Sequence, residues 1–126
     1  MNTTLTSIGL VSPSITNIET ISLVTGTYLL LGQVYLGNGG GGTTTSYKIY
    51  INYGTGNTFT SPMSATGTVA CITGDGSFAN FLTTGIVSAI VSPTTTTSYT
   101  LCAALTFSGN GQVQGANYSF SYVRIA

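Results

Sequence analysis

The sequence has almost no ionisable side chains. Its 126 residues include two Lys or Arg, two Asp or Glu and no His, so 3% are charged, against about 25% in an ordinary globular domain. The four charged residues are Glu19, Lys48, Asp75 and Arg124. Acid–base catalysis, metal ligation and phosphate binding depend mainly on these residue types and on His. We therefore expect a structural or adhesive protein, with no catalytic residues, no metal site and no cofactor.

The same shortage argues against two kinds of partner. Nucleic-acid binding needs several Lys or Arg to displace counterions from the phosphates, and this chain has one of each. No apolar run approaches the ~20 residues of a membrane-spanning helix. Met1 is followed by Asn-Thr-Thr-Leu-Thr, without the charged and apolar regions of a secretory signal. We expect no nucleic-acid partner, no membrane insertion and synthesis in the cytoplasm.

Cysteine is scarce as well. Cys71 and Cys102 are the two cysteines, so one disulfide at most can form. Both lie in apolar runs, at 69–72 and 101–103, which suits burial. Two interpretations remain open, a disulfide or two buried thiols, and a cytoplasmic origin favours the thiols. Because no His is present to activate them, we do not expect either to act as a nucleophile.

Thr, Val, Ile, Tyr and Phe are abundant, and turn residues interrupt them about every ten residues. Apolar residues do not recur with helical spacing. The pattern predicts one all-β domain over 1–126, an antiparallel β-sandwich of the jelly-roll type with about eight strands. The predicted strands are 4–11, 15–24, 27–36, 45–53, 66–73, 84–91, 98–107 and 118–125, with a short extra strand near 78–82 as an alternative.

The predicted strand 27–36 is apolar on both faces. A sandwich requires only one apolar face on each strand, so the second face predicts a cover, either another subunit or a long loop of the same chain. Aromatic and leucine side chains of this strand and of the two C-terminal strands are the interface candidates. They are Tyr28, Leu29, Leu31, Tyr35, Tyr99, Leu101 and Tyr122.

Polar loops are the candidate ligand-binding regions. Tyrosine rings, hydroxyls and amides are the groups that recognise sugars, and they occur in 37–45, 54–62, 74–77 and 108–117. The specific candidates are Asn38, Asn57, Asp75 and Asn110. The glycine run in the first of these loops has neither the following helix nor the Lys of a phosphate-binding loop. It is predicted to be a flexible connection.

Two stretches resemble a known class of domain. Residues 21–30, Ile-Ser-Leu-Val-Thr-Gly-Thr-Tyr-Leu-Leu, resemble a strand–turn–strand segment of small trimeric jelly-roll heads. Such heads occur at the tips of phage and virus fibres and in complement-type and tumour necrosis factor-like domains. The C-terminal third, 97–126, with Arg124 near its end, is similar to the closing strands of fibre-tip domains. The resemblance implies a homotrimer whose aromatic-rich strands pack around a threefold axis.

The missing charge and the resemblance together predict a role. Fibre heads follow a stalk, whereas here the first predicted strand comes soon after Met1, so we expect a free-standing head. It would be a small capsid decoration, spike or fibre-tip protein at the virion surface. Its partners would be copies of itself and other capsid or tail proteins.

Two alternatives to this role stay open. The first is a carbohydrate- or receptor-binding module that recognises a cell-surface glycan. The second is a self-assembling surface-layer or filament subunit, which near-zero net charge and exposed strand edges favour.

Overall fold

Strands make up the regular structure of this chain. The computed structural model describes residues 6–10, 15–38, 43–79, 82–108 and 114–126. In these ranges it contains eight strands and no helix, which confirms the prediction of an all-β chain. The strands are β1 (Thr6–Leu10), β2 (Ile15–Leu23), β3 (Tyr28–Asn38), β4 (Thr43–Tyr53), β5 (Thr68–Ala79), β6 (Leu82–Val91), β7 (Thr97–Ser108) and β8 (Gln114–Arg124). Over the same ranges, no helix is long and apolar enough to cross a membrane.

The strands form two four-stranded sheets. Sheet A has the order β1-β8-β3-β6, and sheet B has the order β2-β7-β4-β5. All pairings are antiparallel, and the pairs β1–β8, β2–β7, β3–β6 and β4–β5 nest inside one another along the sequence. Nested pairs of this kind arise when one long hairpin is wound into two sheets, as in a jelly roll. The architecture is a β-sandwich.

The core lies between the two sheets, and every second residue along each strand points into it. Leu30, Val34 and Phe120 of sheet A are fully buried. They belong to the same core cluster as Ile49 and Leu101 of sheet B. Because burial of each such side chain contributes about 1.5–3 kcal/mol, this layer supplies the main stabilisation of the sandwich.

Strand β5 departs most from the sequence prediction. It runs over Thr68–Ala79 and continues through the segment 74–77, which was predicted to be a loop. The extra strand near 78–82 is not separate within the described residues, because its first two residues end β5 and Leu82 begins β6. Gly74 resembles a turn residue in the sequence, but a Cβ there would overlap the ring of Tyr47 on β4. Here glycine makes room for a neighbouring aromatic ring within a continuous strand.

Candidate functional site

The outer face of sheet B is covered by the connection between β4 and β5, residues 54–67. Tyr50 alternates with two core isoleucines and therefore points outward, yet it is fully buried. Its hydroxyl donates a hydrogen bond to the backbone carbonyl of Asn57 at 2.6 Å. The side-chain amide of Asn52 donates to the carbonyls of Gly56 and Thr58 at 3.2 and 2.9 Å. These bonds hold the connection against the sheet.

Two threonines complete this polar contact. The hydroxyl of Thr68 donates to the side-chain oxygen of Asn52 at 2.7 Å and accepts from the backbone N–H of Thr60 at 2.8 Å. The hydroxyl of Thr100 donates to the carbonyl of Gly54 at 2.8 Å. Because Asn52, Thr68 and Thr100 are buried, their hydrogen bonds avoid the cost of unsatisfied polar groups. The middle of the outer side of sheet B is covered by the chain itself.

The lysine of the chain also belongs to this cover. Phe59 packs edge-on against the ring of Tyr50, with centroids 5.4 Å apart. The ammonium of Lys48 lies 4.4 Å from the centroid of the Phe59 ring, which is cation–π distance. At the far end of the sandwich, the guanidinium of Arg124 lies 5.9 Å from the centroid of Tyr28. Both cations of the chain therefore contact aromatic rings of their own subunit.

The two cysteines lie on either side of Tyr50 and are free thiols. Cys71 on β5 and Cys102 on β7 both pair with Tyr50 on β4. Two strand spacings separate their backbones by about 9–10 Å, which exceeds the limit of roughly 7 Å for a disulfide. Of the two interpretations left open by the sequence, the structure has the free thiols, with Cys102 buried and Cys71 half-buried.

The environment of both thiols keeps them protonated. Burial raises the pKa of Cys102 to about 12, although a hydrogen bond with Tyr50 opposes the rise. Burial also raises the pKa of Cys71, and the charge of Lys48 partly offsets it. The Cys102 thiol donates to the side-chain oxygen of Asn17 at 3.6 Å. A thiol that stays neutral is a poor nucleophile, so both cysteines are suited to packing beside Tyr50.

The outer face of sheet A differs from that of sheet B. Among the residues whose side chains are described, six apolar ones lie on it, and we call them the apolar face: Leu29, Leu31, Tyr35, Ile86, Ile90 and Val123. Their exposed fractions reach 68% for Ile90, 61% for Ile86 and 46% for Val123, and are 38% for both Leu31 and Tyr35. These exposures show that no segment within the described ranges is packed over the face.

The register of sheet A brings these side chains together. Leu29 on β3 is the direct neighbour of Ile90 on β6 and of Val123 on β8, so the three form one row across the sheet. The following rows contain Leu31 and Gln33 on β3, with serines and Ile86 on the neighbouring strands. No ionisable group occurs in these three rows. The result is a neutral, continuous, largely apolar surface.

The seven predicted interface residues are divided between this face and the core. Leu29, Leu31 and Tyr35 lie on the apolar face. Tyr28, Tyr99 and Leu101 were wrong as interface residues because they are buried between the sheets of their own subunit. Tyr122 is half-buried and packs against the core, with its ring 5.9 Å from that of Tyr28. Alternation separates the two sides of a strand but does not reveal which side faces inward.

Three members of the apolar face were not predicted from the sequence. Ile86, Ile90 and Val123 lie on strands that pair with β3. A signal was present for β6, because Ile86 and Ile90 alternate with Val87 and Val91, which makes this strand apolar on both sides, as β3 is. As for 27–36, two apolar faces on one strand predict an outward apolar surface, and here that surface includes Ile86 and Ile90.

The four ligand-loop candidates do not form one site. Asn38 ends β3, and Asp75 pairs with Ser46 near the start of β4, so their backbones lie toward the same end of the sandwich. Asn57 lies in the cover over sheet B. Asn110 is outside the described residues. Asp75 was wrong as a loop residue because it lies within β5.

A groove of about 620 Å³ opens at the opposite end of the sandwich, where β4 ends and β7 begins. Its walls are segment 63–66, the turn 92–95 and the rings of Tyr53 and Tyr99. Three distant parts of the sequence build it, so no local pattern could have predicted it. In the part of the chain that is described, no group of three or more Cys, Asp or Glu could hold a metal ion.

Known proteins offer little similarity to this chain. No family model and no curated protein matches it. Among solved structures, it is similar to a chain in the structure of infectious bursal disease virus, Gx strain, with a TM-score of 0.38 and 14% identity. The match covers 97% of this chain and 29% of that chain, so the protein spans less than a third of the viral chain's length.

Proposed function

We propose that this protein is a structural subunit without enzymatic activity, which assembles with copies of itself through the apolar face. The assembly is a homotrimeric jelly roll that serves as a small decoration, spike or fibre-tip protein at a virion surface. The observation that carries the proposal is the difference between the two outer sides of the sandwich. Residues 54–67 cover sheet B, whereas Ile86, Ile90 and Val123 leave sheet A apolar and exposed.

The size of the apolar face is adequate for association. Five of its six side chains are between 38% and 68% exposed, so each contributes roughly 1 kcal/mol when it leaves water. Two such faces together contribute on the order of 10 kcal/mol, which is comparable to the estimated cost of association, about 4–15 kcal/mol. The six side chains together can therefore offset the cost of association, whereas a single exposed apolar residue could not.

The neutrality of the face supports copies of the same chain as the occupant. Charged partners gain specificity from complementary charges, and the central rows of this face carry none. Low surface charge also removes the repulsion that keeps copies of a protein apart. The trimeric state and the place on a virion draw support from the resemblance of residues 21–30 and 97–126 to trimeric fibre heads.

Light scattering coupled to size-exclusion chromatography tests the assembly. We expect a particle three times the 12.9 kDa mass of the chain. Leu31→Glu places a charge at the centre of the apolar face and should give a monomer, and Ile86→Lys should do the same if Leu31→Glu fails to fold. Val24→Glu is the matched control, because Val24 is 57% exposed in the turn between β2 and β3. A wild-type monomer at micromolar concentration would overturn the proposal.

The place on the virion needs a separate test. Immunogold labelling of purified particles should put the protein on their outer surface. Particles that lack the protein, in a culture where the protein is otherwise abundant, would contradict the virion role and leave self-assembly intact.

One observation favours an open polymer as a second candidate. Strand β6 is an edge of sheet A, and within the described residues it pairs with β3 only. Its ten residues include no charge and no proline, the devices that usually block pairing between sheet edges. Electron microscopy distinguishes the candidates, because edge pairing gives filaments or sheets and the closed trimer gives discrete particles.

A further inference from the structure

The groove at the end of the sandwich contains an exposed aromatic ring held in a fixed position. Tyr53 is 43% exposed. Its ring meets that of Tyr99 at 87°, with the centroids 5.9 Å apart. An aromatic pair in this geometry is stabilising, so Tyr53 presents its exposed surface to the groove with little freedom to move.

Tyr99 brings a buried polar atom into the same groove. It lines the cavity and is only 3% exposed. Its hydroxyl makes no hydrogen bond with any of the described residues. Burial, with a smaller contribution from Tyr53, raises its pKa, so the phenol stays protonated and can donate. Since a buried hydroxyl without a partner is costly, this one points to a partner from outside the chain.

One wall of the groove, the turn 92–95, is rich in hydroxyls and held by the rest of the chain. The turn 92–95 is fixed by hydrogen bonds to its backbone carbonyls. Thr25 donates to the carbonyl of Thr94 at 3.0 Å, Thr97 donates to that of Thr95 at 2.8 Å, and the N–H of Gly26 donates to that of Pro93 at 3.2 Å. This turn needs little ordering when a ligand binds, which favours affinity.

Among the described residues, no Lys, Arg, Asp or Glu lines the groove. An anionic or cationic ligand would therefore lose hydration without gaining an opposite charge. The ligand that fits has no charge, has an apolar surface to lie on an aromatic ring, and has several hydroxyls. A pyranose ring has all three properties. The volume of about 620 Å³ lies within the ~300–1,000 Å³ typical of ligand pockets.

We propose that this groove binds a neutral oligosaccharide. One sugar ring stacks on Tyr53, and a sugar hydroxyl accepts a hydrogen bond from Tyr99. The site differs from the loops that the sequence suggested for ligand contact, except that Tyr53 adjoins the loop 54–62. It does not require self-assembly, because Tyr53 and Tyr99 lie apart from the apolar face, although Ile90 borders both.

The test starts from an array of neutral and sialylated glycans, probed with the assembled wild-type protein. Titration calorimetry follows with the neutral glycan that gives the highest signal. Tyr53→Ala should weaken binding at least about tenfold, equivalent to ~1.4 kcal/mol, whereas Tyr53→Phe should retain most of the affinity because the ring remains. Tyr99→Phe should weaken binding severalfold without changing the fold. Val24→Ala is the control, because this exposed residue lies outside both the groove and the apolar face.

Three results would overturn the proposal. The first is that no neutral glycan on the array binds the protein and that none binds it in calorimetry at millimolar glycan concentration. The second is a glycan that binds Tyr53→Ala and wild type equally. The third is stronger binding of sialylated glycans, or of an uncharged peptide, than of every neutral glycan. Each of these can occur whether or not the protein forms trimers, so this proposal and the proposed function can fail separately.

Discussion

The hydroxyl of Tyr50 donates a 2.6 Å hydrogen bond to the backbone carbonyl of Asn57. This bond joins the middle strand of a sheet to the segment that lies over it. Because Tyr50 is fully buried, its hydroxyl has no water to replace Asn57 as a partner. The contact therefore gives a direct measure of how firmly residues 54–67 hold to sheet B.

Replacement of that hydroxyl should loosen the cover. Tyr50→Phe removes the donor and leaves the Asn57 carbonyl without its partner, so we expect a loss of about 1–2 kcal/mol in the free energy of unfolding. Chemical denaturation measures it. Tyr53→Phe is the control, and it should change the value by less than about 0.5 kcal/mol, because the Tyr53 hydroxyl bonds to no described residue. Equal effects of the two variants would show that the cover does not depend on this bond.

Stability should fall in alkali because of Cys102. Burial raises its pKa from 9.0 to about 12, so below pH 9 the thiol is protonated in both the folded and the unfolded chain. As the pH rises from 9 toward 12, the unfolded chain loses the proton first, and the folded state loses stability. The raised pKa values of Cys71 and Tyr50 act in the same direction.

Denaturation curves across the alkaline range check this prediction. Cys102→Ala should be less stable at neutral pH, because it leaves a cavity, but its stability should fall less steeply above pH 9. Parallel slopes for wild type and variant would show that the Cys102 thiol does not contribute to the alkaline loss.

The two cysteines should resist cross-linking while the protein is folded. Strand β4 lies between Cys71 and Cys102, so mild oxidation of the native protein should yield no internal disulfide. Alkylation should label the half-buried Cys71 before the buried Cys102. Peptide mapping by mass spectrometry reads out both results, with the denatured chain as the control in which both thiols react. A disulfide between them in native protein would contradict the strand order of sheet B.

Gly26 should be sensitive to substitution. Its φ of +154° is one that other residues rarely adopt, and an added Cβ would lie 2.9 Å from Nε of Arg124. Gly26→Ala should therefore cost about 1–3 kcal/mol, from backbone strain and displacement of Arg124. Gly56→Ala is the control, since a Cβ there meets nothing within 4 Å. Thermal unfolding measures the stability of both variants. Equal stability of Gly26→Ala and Gly56→Ala would show that position 26 imposes no strain on a residue other than glycine.

Local pattern predicted the strands well where one side is buried in the core. The predicted 98–107 and 45–53 correspond to β7 (Thr97–Ser108) and β4 (Thr43–Tyr53), because large apolar residues largely alternate there with smaller or more polar ones. Prediction failed at Gly74 and Asp75, where turn-forming residues lie inside β5. The reason is that Gly74 lies against Tyr47 on another strand. A contact between residues so far apart in the sequence leaves no mark in the local pattern.

The two outer sides could be predicted only in part. The second apolar side of 27–36 did predict a surface in need of a cover, and the structure leaves Leu31 and Tyr35 exposed there. The cover over sheet B was not predicted, because Asn52 and Thr68 look like ordinary solvent-facing strand residues. Their burial depends on hydrogen bonds to backbone groups of 54–67, and the sequence does not reveal where that connection lies.

The cover made by residues 54–67 has a consequence for any particle built from this chain. Copies that adhere by the apolar face only cannot stack without limit, since the middle of the opposite side is already covered by residues 54–67 and offers no second apolar face. Growth by that route ends in a finite cluster whose covered sides point away from its middle. Such a cluster would display a hydroxyl-rich, nearly uncharged exterior, whatever holds its centre together.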